Sequence, residues 1–379
     1  MDSEPRDTTG AATATNTRDN GLSFARKPSA SSESSSGSDS STLDFVPYGQ
    51  RPEWQDVTPV PQNDGQHPVV AIAYSQRFRE TFDYFRAVLA TSEMSARTLE
   101  LTEDCAALNP SNYTIWHFRR LILRELGADL WRELDYIKSV IVENAKNYQV
   151  WHHRKCVVEQ IRAQIGDKYR ASGDSDLMAK ELSELAEEEK RFVSVMIRQD
   201  SKNYHGWQHR QWVINEFKRF AGELEYTEEL MDDDIRNNSA WNHRYYVIRN
   251  TTGFVAPFLD TEIQYTCHKI GLAPNNESAW NYLRGIMAEI GLNASDVVNS
   301  MCDDLRKSLE THRSPHLLSF MIDAIDESLS GQTVPVDSRL LGKALELCAQ
   351  LSTRIDVIRK EYWDYIARDL NSRFGGSTQ

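Results

Sequence analysis

Hydrophobic residues recur at every third or fourth position along most of the chain. Tyr74, Phe78, Phe82, Phe85 and Leu89 form the first such series. This spacing places apolar side chains on one face of an α-helix, and such a face is typically buried. Similar series continue to about residue 371, and no stretch shows the regular alternation of a strand. The pattern therefore predicts an all-α protein.

Five short stretches share a frame in which Asn is followed four residues later by Trp and, except in the fifth, Arg three residues after that. They read Asn-Tyr-Thr-Ile-Trp-His-Phe-Arg (112–119), Asn-Tyr-Gln-Val-Trp-His-His-Arg (147–154), Asn-Tyr-His-Gly-Trp-Gln-His-Arg (203–210), Asn-Asn-Ser-Ala-Trp-Asn-His-Arg (237–244) and Asn-Glu-Ser-Ala-Trp-Asn-Tyr-Leu (276–283). Each stretch follows a helical series. Repeats centred on Trp116, Trp151, Trp207, Trp241 and Trp280 have the period of stacked helical hairpins. With the helical series beyond them, they predict a solenoid of about seven hairpins.

The rest of the chain divides around this repeat domain. Residues 1–43 are rich in serine and poor in apolar residues, which predicts a disordered tail. The repeat domain is expected over 44–371, beginning with an extended lead-in whose prolines include Pro52, Pro59, Pro61 and Pro68. Residues 372–379 are expected to form a flexible tail. The long interval between Trp151 and Trp207 predicts an insertion at about 165–188 that lengthens one hairpin loop.

The shared positions have structural interpretations. Each Asn precedes a helix, where its side chain can cap free backbone N–H groups. Each Trp is suited to fill the space between hairpins, and each Arg to pair with an acid of the next hairpin. His153, His209 and His243 lie two residues after Trp. Metal binding at His152 and His153 is disfavoured because adjacent helical residues diverge and no Cys, Asp or Glu cluster accompanies them.

The variable positions around the Asn point to chemistry. In the second and third copies a lysine precedes the Asn and a tyrosine follows it: Lys146 and Tyr148, then Lys202 and Tyr204. A cation and a phenol beside free helix N–H groups form a site suited to phosphate or carboxylate. Ordinary solvated lysines explain the pattern equally well from the residues alone.

Composition narrows the function classes. The net charge of −13 disfavours nucleic-acid binding. Five scattered cysteines without a C-x-x-C motif indicate reduced thiols. The sequence shows no secretory signal and no run of about 18 apolar residues. Together these features predict a cytoplasmic protein that does not span a membrane.

The five stretches and their flanks resemble a known family, the α subunit shared by protein farnesyltransferase and geranylgeranyltransferase type I. The resemblance spans 45–371 and includes Pro59-Val-Pro-Gln-Asn-Asp-Gly65, Lys146-Asn-Tyr-Gln-Val-Trp-His-His-Arg154, Lys202-Asn-Tyr-His-Gly-Trp-Gln-His-Arg210 and Asn250-Thr-Thr-Gly253. It implies a crescent-shaped, right-handed superhelix of prenyltransferase α-subunit repeats. It also implies heterodimers with the farnesyltransferase β subunit or the geranylgeranyltransferase type I β subunit.

The resemblance implies an activity and a set of site residues. Such an enzyme transfers a farnesyl or geranylgeranyl group from its diphosphate to the cysteine thiol of proteins with a C-terminal CaaX box, such as small GTPases. Zinc would be bound by the β subunit, with no metal ligand in this chain, and magnesium would assist the farnesyl reaction. Lys146 would be the catalytic residue. Residues implied at the prenyl diphosphate are Lys146, Tyr148, Tyr204 and His205, and those implied at the peptide carboxylate and rim are Gln149, Tyr113 and Asn147.

Two alternatives remain at this point. The α subunit of Rab geranylgeranyltransferase shares the repeat, although the block 53–65 fits the farnesyl type better. A helical-repeat scaffold of tetratricopeptide type, without enzymatic activity, is the second alternative. Its consensus differs from the Asn-x₃-Trp-x₂-Arg frame.

Overall fold

The structure is a computed structural model that describes residues 45–70, 72–170, 172–308, 313–331 and 337–375. The chain divides into two units, Met1–Pro47 and Tyr48–Gln379. Only residues 45–47 of the first unit are described, so the account that follows concerns the second. The predicted tail 1–43 and residues 376–379 lie outside the described residues.

The described residues form fifteen α-helices and contain no strand, which confirms the all-α prediction. The helices are α1 Gln76–Thr91, α2 Ala96–Leu108, α3 Tyr113–Glu125, α4 Leu130–Glu143, α5 Tyr148–Arg170, α6 Ser175–Gln199, α7 Tyr204–Glu216, α8 Glu223–Asp233, α9 Asn238–Arg249, α10 Phe258–Leu272, α11 Glu277–Met287, α12 Asp296–Lys307, α13 Pro315–Ser330, α14 Ser338–Gln350 and α15 Lys360–Phe374. A π-helical turn, Leu351–Ile355, follows α14.

Neighbouring helices pack as antiparallel hairpins, and the hairpins stack on one another. The pairs are α2 with α3, α4 with α5, α6 with α7, α8 with α9, α10 with α11, α12 with α13, and α14 with α15. The signature stretches begin helices α3, α5, α7, α9 and α11, and each of these contacts the next in the series. The described residues of this unit therefore form a helical solenoid of seven hairpins preceded by α1, as the repeat period predicts.

The lead-in anchors two aromatic side chains before the first helix. Tyr48 and Trp54 lie on two short 3₁₀ turns and are almost fully buried. Their rings lie 5.3 and 5.6 Å from that of Tyr84 on α1. The Tyr48 hydroxyl donates to Asp104 of α2 at 2.5 Å. This segment therefore covers the start of the solenoid core.

The insertion takes a different form from the one expected. The additional residues extend both helices of the hairpin, so that α5 has 23 residues and α6 has 25. Buried Ile165 and Leu185 continue the apolar faces of these helices. Glu181 of α6 accepts hydrogen bonds from Lys168 and Tyr169 of α5, each at 2.6 Å. The expectation of a longer loop was wrong because the inserted residues keep helical spacing and can pair across the hairpin.

The C-terminal boundary also differs slightly. Helix α15 continues to Phe374, three residues beyond the predicted end of the repeat domain. Trp363 and Leu370 bury one face of this helix. Residues 372–374 therefore belong to the last helix rather than to a tail.

Candidate functional site

The signature Asn residues cap helices, and those of the second to fifth copies also join their repeat to the one before it. The side-chain oxygen of all five accepts a backbone N–H near the start of the following helix, at 3.0–3.2 Å. The side-chain nitrogen of Asn203, Asn237 and Asn276 donates to a backbone carbonyl of the preceding repeat. Those carbonyls also accept the indole N–H of the preceding Trp. Asn therefore caps one helix and connects two hairpins at once.

The signature Arg residues form buried bidentate ion pairs with glutamates of the next hairpin. Arg154, for example, donates to both carboxylate oxygens of Glu189 at 2.6 and 3.0 Å. His209 of the following signature helix approaches the same carboxylate, with its Nε2 2.9 Å from Oε2. Each glutamate thus links two successive signature helices. The equivalent groups are Arg119–Glu133–His153, Arg210–Glu223–His243 and Arg244–Glu262–Tyr282.

The charge states within these groups follow from burial and from the arginines. Burial lowers the pKa of His153, His209 and His243, although the glutamate hydrogen bonds act in the opposite direction. Burial by itself would raise the pKa of Glu189, but Arg154 and His209 outweigh it and hold that pKa at about 2. The arginine already balances the glutamate charge, so the histidine remains neutral. These histidines therefore have a structural role.

Three tyrosines mark the exposed starts of successive signature helices. Tyr113, Tyr148 and Tyr204 are the first residues of α3, α5 and α7. Their side chains are 63–70% exposed. His205 is partly exposed and its ring lies against that of Tyr204 at 5.7 Å. The structure thus leaves phenol groups free to meet a ligand or a partner.

Lys146 stands in the turn before α5 and faces the turn before α7. Its side chain is 81% exposed, and its ammonium lies 3.3 Å from the Oδ2 atom of Asp200. The two turns are joined directly, because the Asn203 side chain donates to the Ala145 carbonyl at 3.0 Å. On the other side, the Asn147 side chain donates to the Ser111 hydroxyl at 2.9 Å. The structure therefore brings the predicted residues of the second and third copies to one edge.

An open groove of about 500 Å³ runs between α5 and α7 beside this edge. Tyr148, Gln149 and His205 line it, so three of the predicted residues share one surface. Gln149 is buried at its base, whereas Tyr113 and Lys146 do not line it. The groove also contains residues that the sequence did not place at the site: His152, Lys155, Gln208 and Trp212, together with Trp151 and His209 of the signature stretches.

The additional groove residues could have been found from helical spacing. Gln149, His152 and Lys155 follow one another by three residues along α5, and His205, Gln208 and Trp212 follow by three and four along α7. The Lys155 ammonium lies 5.2 Å from the centre of the Trp212 ring. Such a spacing marks one face of each helix. That two such faces meet is known only from the packing of α5 against α7.

The two histidines considered as metal ligands point to different environments. His153 is fully buried against Glu133, whereas His152 lines the groove, 3.6 Å from the Cys156 sulfur. Among the described residues, no group of three or more His, Cys, Asp or Glu side chains could hold a metal ion. No helix in the described ranges is long and apolar enough to cross a membrane.

Fold and site together define a repeat protein of the prenyltransferase α-subunit class. The protein prenyltransferase alpha subunit repeat matches five segments, each of which contains a signature stretch: residues 95–126, 130–161, 186–217, 220–251 and 259–290. The chain belongs to the family of α subunits shared by protein farnesyltransferase and geranylgeranyltransferase type I. This membership follows from relatives that are similar over nearly their whole length.

Two curated relatives and one solved structure illustrate the similarity. The farnesyltransferase/geranylgeranyltransferase type-1 subunit alpha of Dictyostelium discoideum is 36% identical over 324 residues, covering 85% of this chain and 93% of the relative. The subunit of the same name from Pisum sativum is 38% identical over 338 residues, covering 84% and 94%. The structure of Candida albicans protein geranylgeranyltransferase-I complexed with GGPP matches with a TM-score of 0.69 and 26% identity, covering 83% of this chain and 98% of that one.

Proposed function

We propose that this chain, paired with a β subunit, transfers a farnesyl or geranylgeranyl group from its diphosphate to the cysteine thiol of CaaX proteins. The partners are the farnesyltransferase β subunit and the geranylgeranyltransferase type I β subunit, and small GTPases are among the substrates. The single observation that carries the proposal is the edge formed by the α5 and α7 N-termini. At this edge Lys146, the exposed tyrosines and His205 lie beside the groove. The chain that carries them belongs to a family of prenyltransferase subunits.

Lys146 is assigned to the prenyl diphosphate. As the deprotonated sulfur of the substrate cysteine bonds to C1 of the isoprenoid, the bond from C1 to the diphosphate oxygen breaks and the oxygen keeps the electron pair, so negative charge grows on it. An ammonium beside it stabilises the transition state more than the ground state. Lys146 suits this role because it is exposed and stands beside the α5 N-terminus, whose positive dipole end also favours an anion.

The tyrosines and His205 are assigned to the same diphosphate end. Tyr148 and Tyr204 can donate phenolic hydrogen bonds to phosphate oxygens, and His205 lies against Tyr204. Tyr113 and Asn147 are assigned to the adjoining peptide rim. These groups can donate hydrogen bonds, so they would orient the diphosphate while Lys146 supplies positive charge.

Gln149 is assigned to the C-terminal carboxylate of the CaaX substrate. Its amide is buried at the groove wall, and its backbone is fixed because its N–H donates to the Asn147 side chain at 3.0 Å. The side-chain N–H₂ of Gln149 can donate to a carboxylate without adding a second charge that would compete for the diphosphate. The groove beside it is open enough to admit an extended peptide end.

Zinc and magnesium belong to other parts of the complex in this proposal. The described residues of this chain do not fit a zinc site, so zinc is assigned to the β subunit. Magnesium is assigned to the diphosphate in the farnesyl reaction. We place the heterodimer in the cytoplasm, where CaaX proteins are synthesised.

Co-expression with each β subunit tests the proposal. We expect the two chains to co-purify as a stable heterodimer that contains about one zinc ion. We also expect this heterodimer to transfer the prenyl group to a CaaX peptide, and not to a control peptide in which Ser replaces the Cys. A chain that remains alone in the presence of both β subunits, or a heterodimer without transfer from either diphosphate, would refute it.

A further inference from the structure

We infer that Asp200 is a positioning residue that holds the Lys146 ammonium at the diphosphate edge. The inference rests on the proposed role of Lys146. Asp200 directly follows α6 and belongs to the repeat after that of Lys146. Asp200 thus connects the turn that contains Lys146 to the turn that precedes α7.

The Asp200 carboxylate is held by its own turn. Its Oδ1 atom accepts the Lys202 backbone N–H at 3.1 Å, and its backbone carbonyl accepts the Asn203 N–H at 3.0 Å. Its Oδ2 atom remains directed at Lys146, 3.3 Å from the ammonium. One oxygen therefore fixes the carboxylate while the other contacts the lysine.

A fixed carboxylate matters because Lys146 is otherwise unrestrained. An exposed lysine side chain loses rotamer entropy when it is held in one place. Lys146 is 81% exposed, and Asp200 forms its only ion pair among the described residues. Holding the ammonium beside the α5 N-terminus reduces the ordering that must occur when the diphosphate arrives.

The next repeat supplies the turn without the ion pair. Asp234 accepts the Arg236 backbone N–H at 2.9 Å, as Asp200 does for Lys202. No ion pair joins Asp234 to Lys202 in the part of the chain that the structure describes, although Lys202 occupies the position equivalent to Lys146. The turn geometry is thus shared by two successive repeats, whereas among these two aspartates only Asp200 contacts a lysine.

The test is a double-mutant cycle in the co-purified heterodimer. Asp200→Asn keeps an acceptor for the Lys202 N–H and removes the charge. We expect it to slow single-turnover transfer to a CaaX peptide about two- to fivefold, the scale of an exposed ion pair. In the Lys146→Ala background the same substitution should change nothing. Asp234→Asn is the matched control, with an unchanged rate.

Salt provides an independent readout. At about 1 M salt the Debye length is about 3 Å, so the difference between wild type and Asp200→Asn should shrink. An equal effect of Asp200→Asn in both backgrounds, or no effect in either, would overturn the positioning role while leaving that of Lys146 intact. A Lys146→Ala heterodimer with the full wild-type rate would instead overturn the role of Lys146, and a wild-type heterodimer without any transfer would overturn the proposed function itself.

Discussion

At the scale of single residues, the signature Asn serves two partners, and each partner uses a different atom. The oxygen of Asn276 accepts the Ser278 N–H at 3.2 Å, and its nitrogen donates to the Ile235 carbonyl at 2.8 Å. Asp and Ser also cap helices well, yet neither can supply the amide donor. The second bond explains why Asn is required at positions 203, 237 and 276, where the side chain both caps and donates.

Replacing that amide by a carboxylate separates the two roles. Asn276→Asp retains a capping oxygen but places a negative oxygen against the Ile235 carbonyl. We expect the free energy of unfolding to fall by about 1–3 kcal/mol. Chemical denaturation of the heterodimer measures it. Asp129→Asn is the control, because Asp129 caps α4 through a single acceptor bond; equal effects of the two substitutions would show that capping alone matters.

The sequence predicted the local roles of the signature Asn, Trp and Arg residues but not all of the residues that they contact. Caps, core tryptophans and paired arginines follow from residue type and helical position. The glutamate that each Arg meets lies 13 to 35 residues away, and no fixed spacing identifies it. The histidines were therefore left without a partner in the sequence, although the stacked helices bring each of them to a carboxylate.

At the scale of helices, the Arg–Glu–His groups hold successive hairpins in register. Glu189 is completely buried and receives Arg154 and His209. Removing one member of a buried ion pair leaves the other charge without compensation. The groups thus fix the stacking, even where they add little net stability.

We expect Glu189→Gln to lower the free energy of unfolding by about 3 kcal/mol or more. The neutral amide cannot balance Arg154, which stays buried and charged. Glu184→Gln on the exposed face of α6 is the matched control and should have an effect of about 0.5 kcal/mol or less. Melting curves of both variants measure the difference, and a Glu189→Gln protein as stable as the control would contradict this role.

Acid should destabilise the solenoid through its buried histidines. The folded pKa values of His153, His209 and His243 are lowered, so their contribution to stability is present above about pH 6.5 and is lost as pH falls. Each histidine contributes up to about 1.4 kcal/mol per pH unit below that value. Chemical denaturation at a series of pH values between 7 and 5 measures how the free energy of unfolding changes with pH.

A natural variation in the repeat supplies the control for this pH dependence. Tyr282 takes the place of the histidine in the fifth copy, 2.6 Å from Glu262 and 5.1 Å from the Trp241 ring. His243→Tyr reproduces this arrangement in the fourth copy. It should reduce the dependence of the unfolding free energy on pH by the contribution of one histidine. Stability that is constant or rises from pH 7 to pH 5 would contradict the assignment of neutral buried histidines.

At the scale of the whole molecule, the period of the signature predicted the stack of hairpins but not every helix length. The insertion between Trp151 and Trp207 contains Gly-Asp-Lys and Ser-Gly-Asp, which resemble loop residues. Gly166 nevertheless lies within α5, because Ile165 and the Lys168–Glu181 pair stabilise the helix around it. Tertiary pairing thus overrides local propensity at this point.

The candidate site was predictable as a set of helix N-termini, and the resemblance assigned its chemistry. That Lys146 meets Asp200, and that α5 and α7 form a groove lined by Lys155 and Trp212, depends on packing between repeats. No residue spacing within one repeat contains that information. The second wall of the site is expected to come from another chain.

The central claim is that Lys146 stabilises the departing diphosphate. It is tested most directly by the single-turnover rate of prenyl transfer in the co-purified heterodimer carrying Lys146→Ala. Arg236→Ala, an exposed cation at the same position of the fourth copy, is the control. We predict a rate about 10²–10³-fold lower for Lys146→Ala with a smaller change in prenyl diphosphate affinity, and an unchanged rate for the control. A Lys146→Ala heterodimer that transfers the prenyl group as fast as wild type would contradict the account.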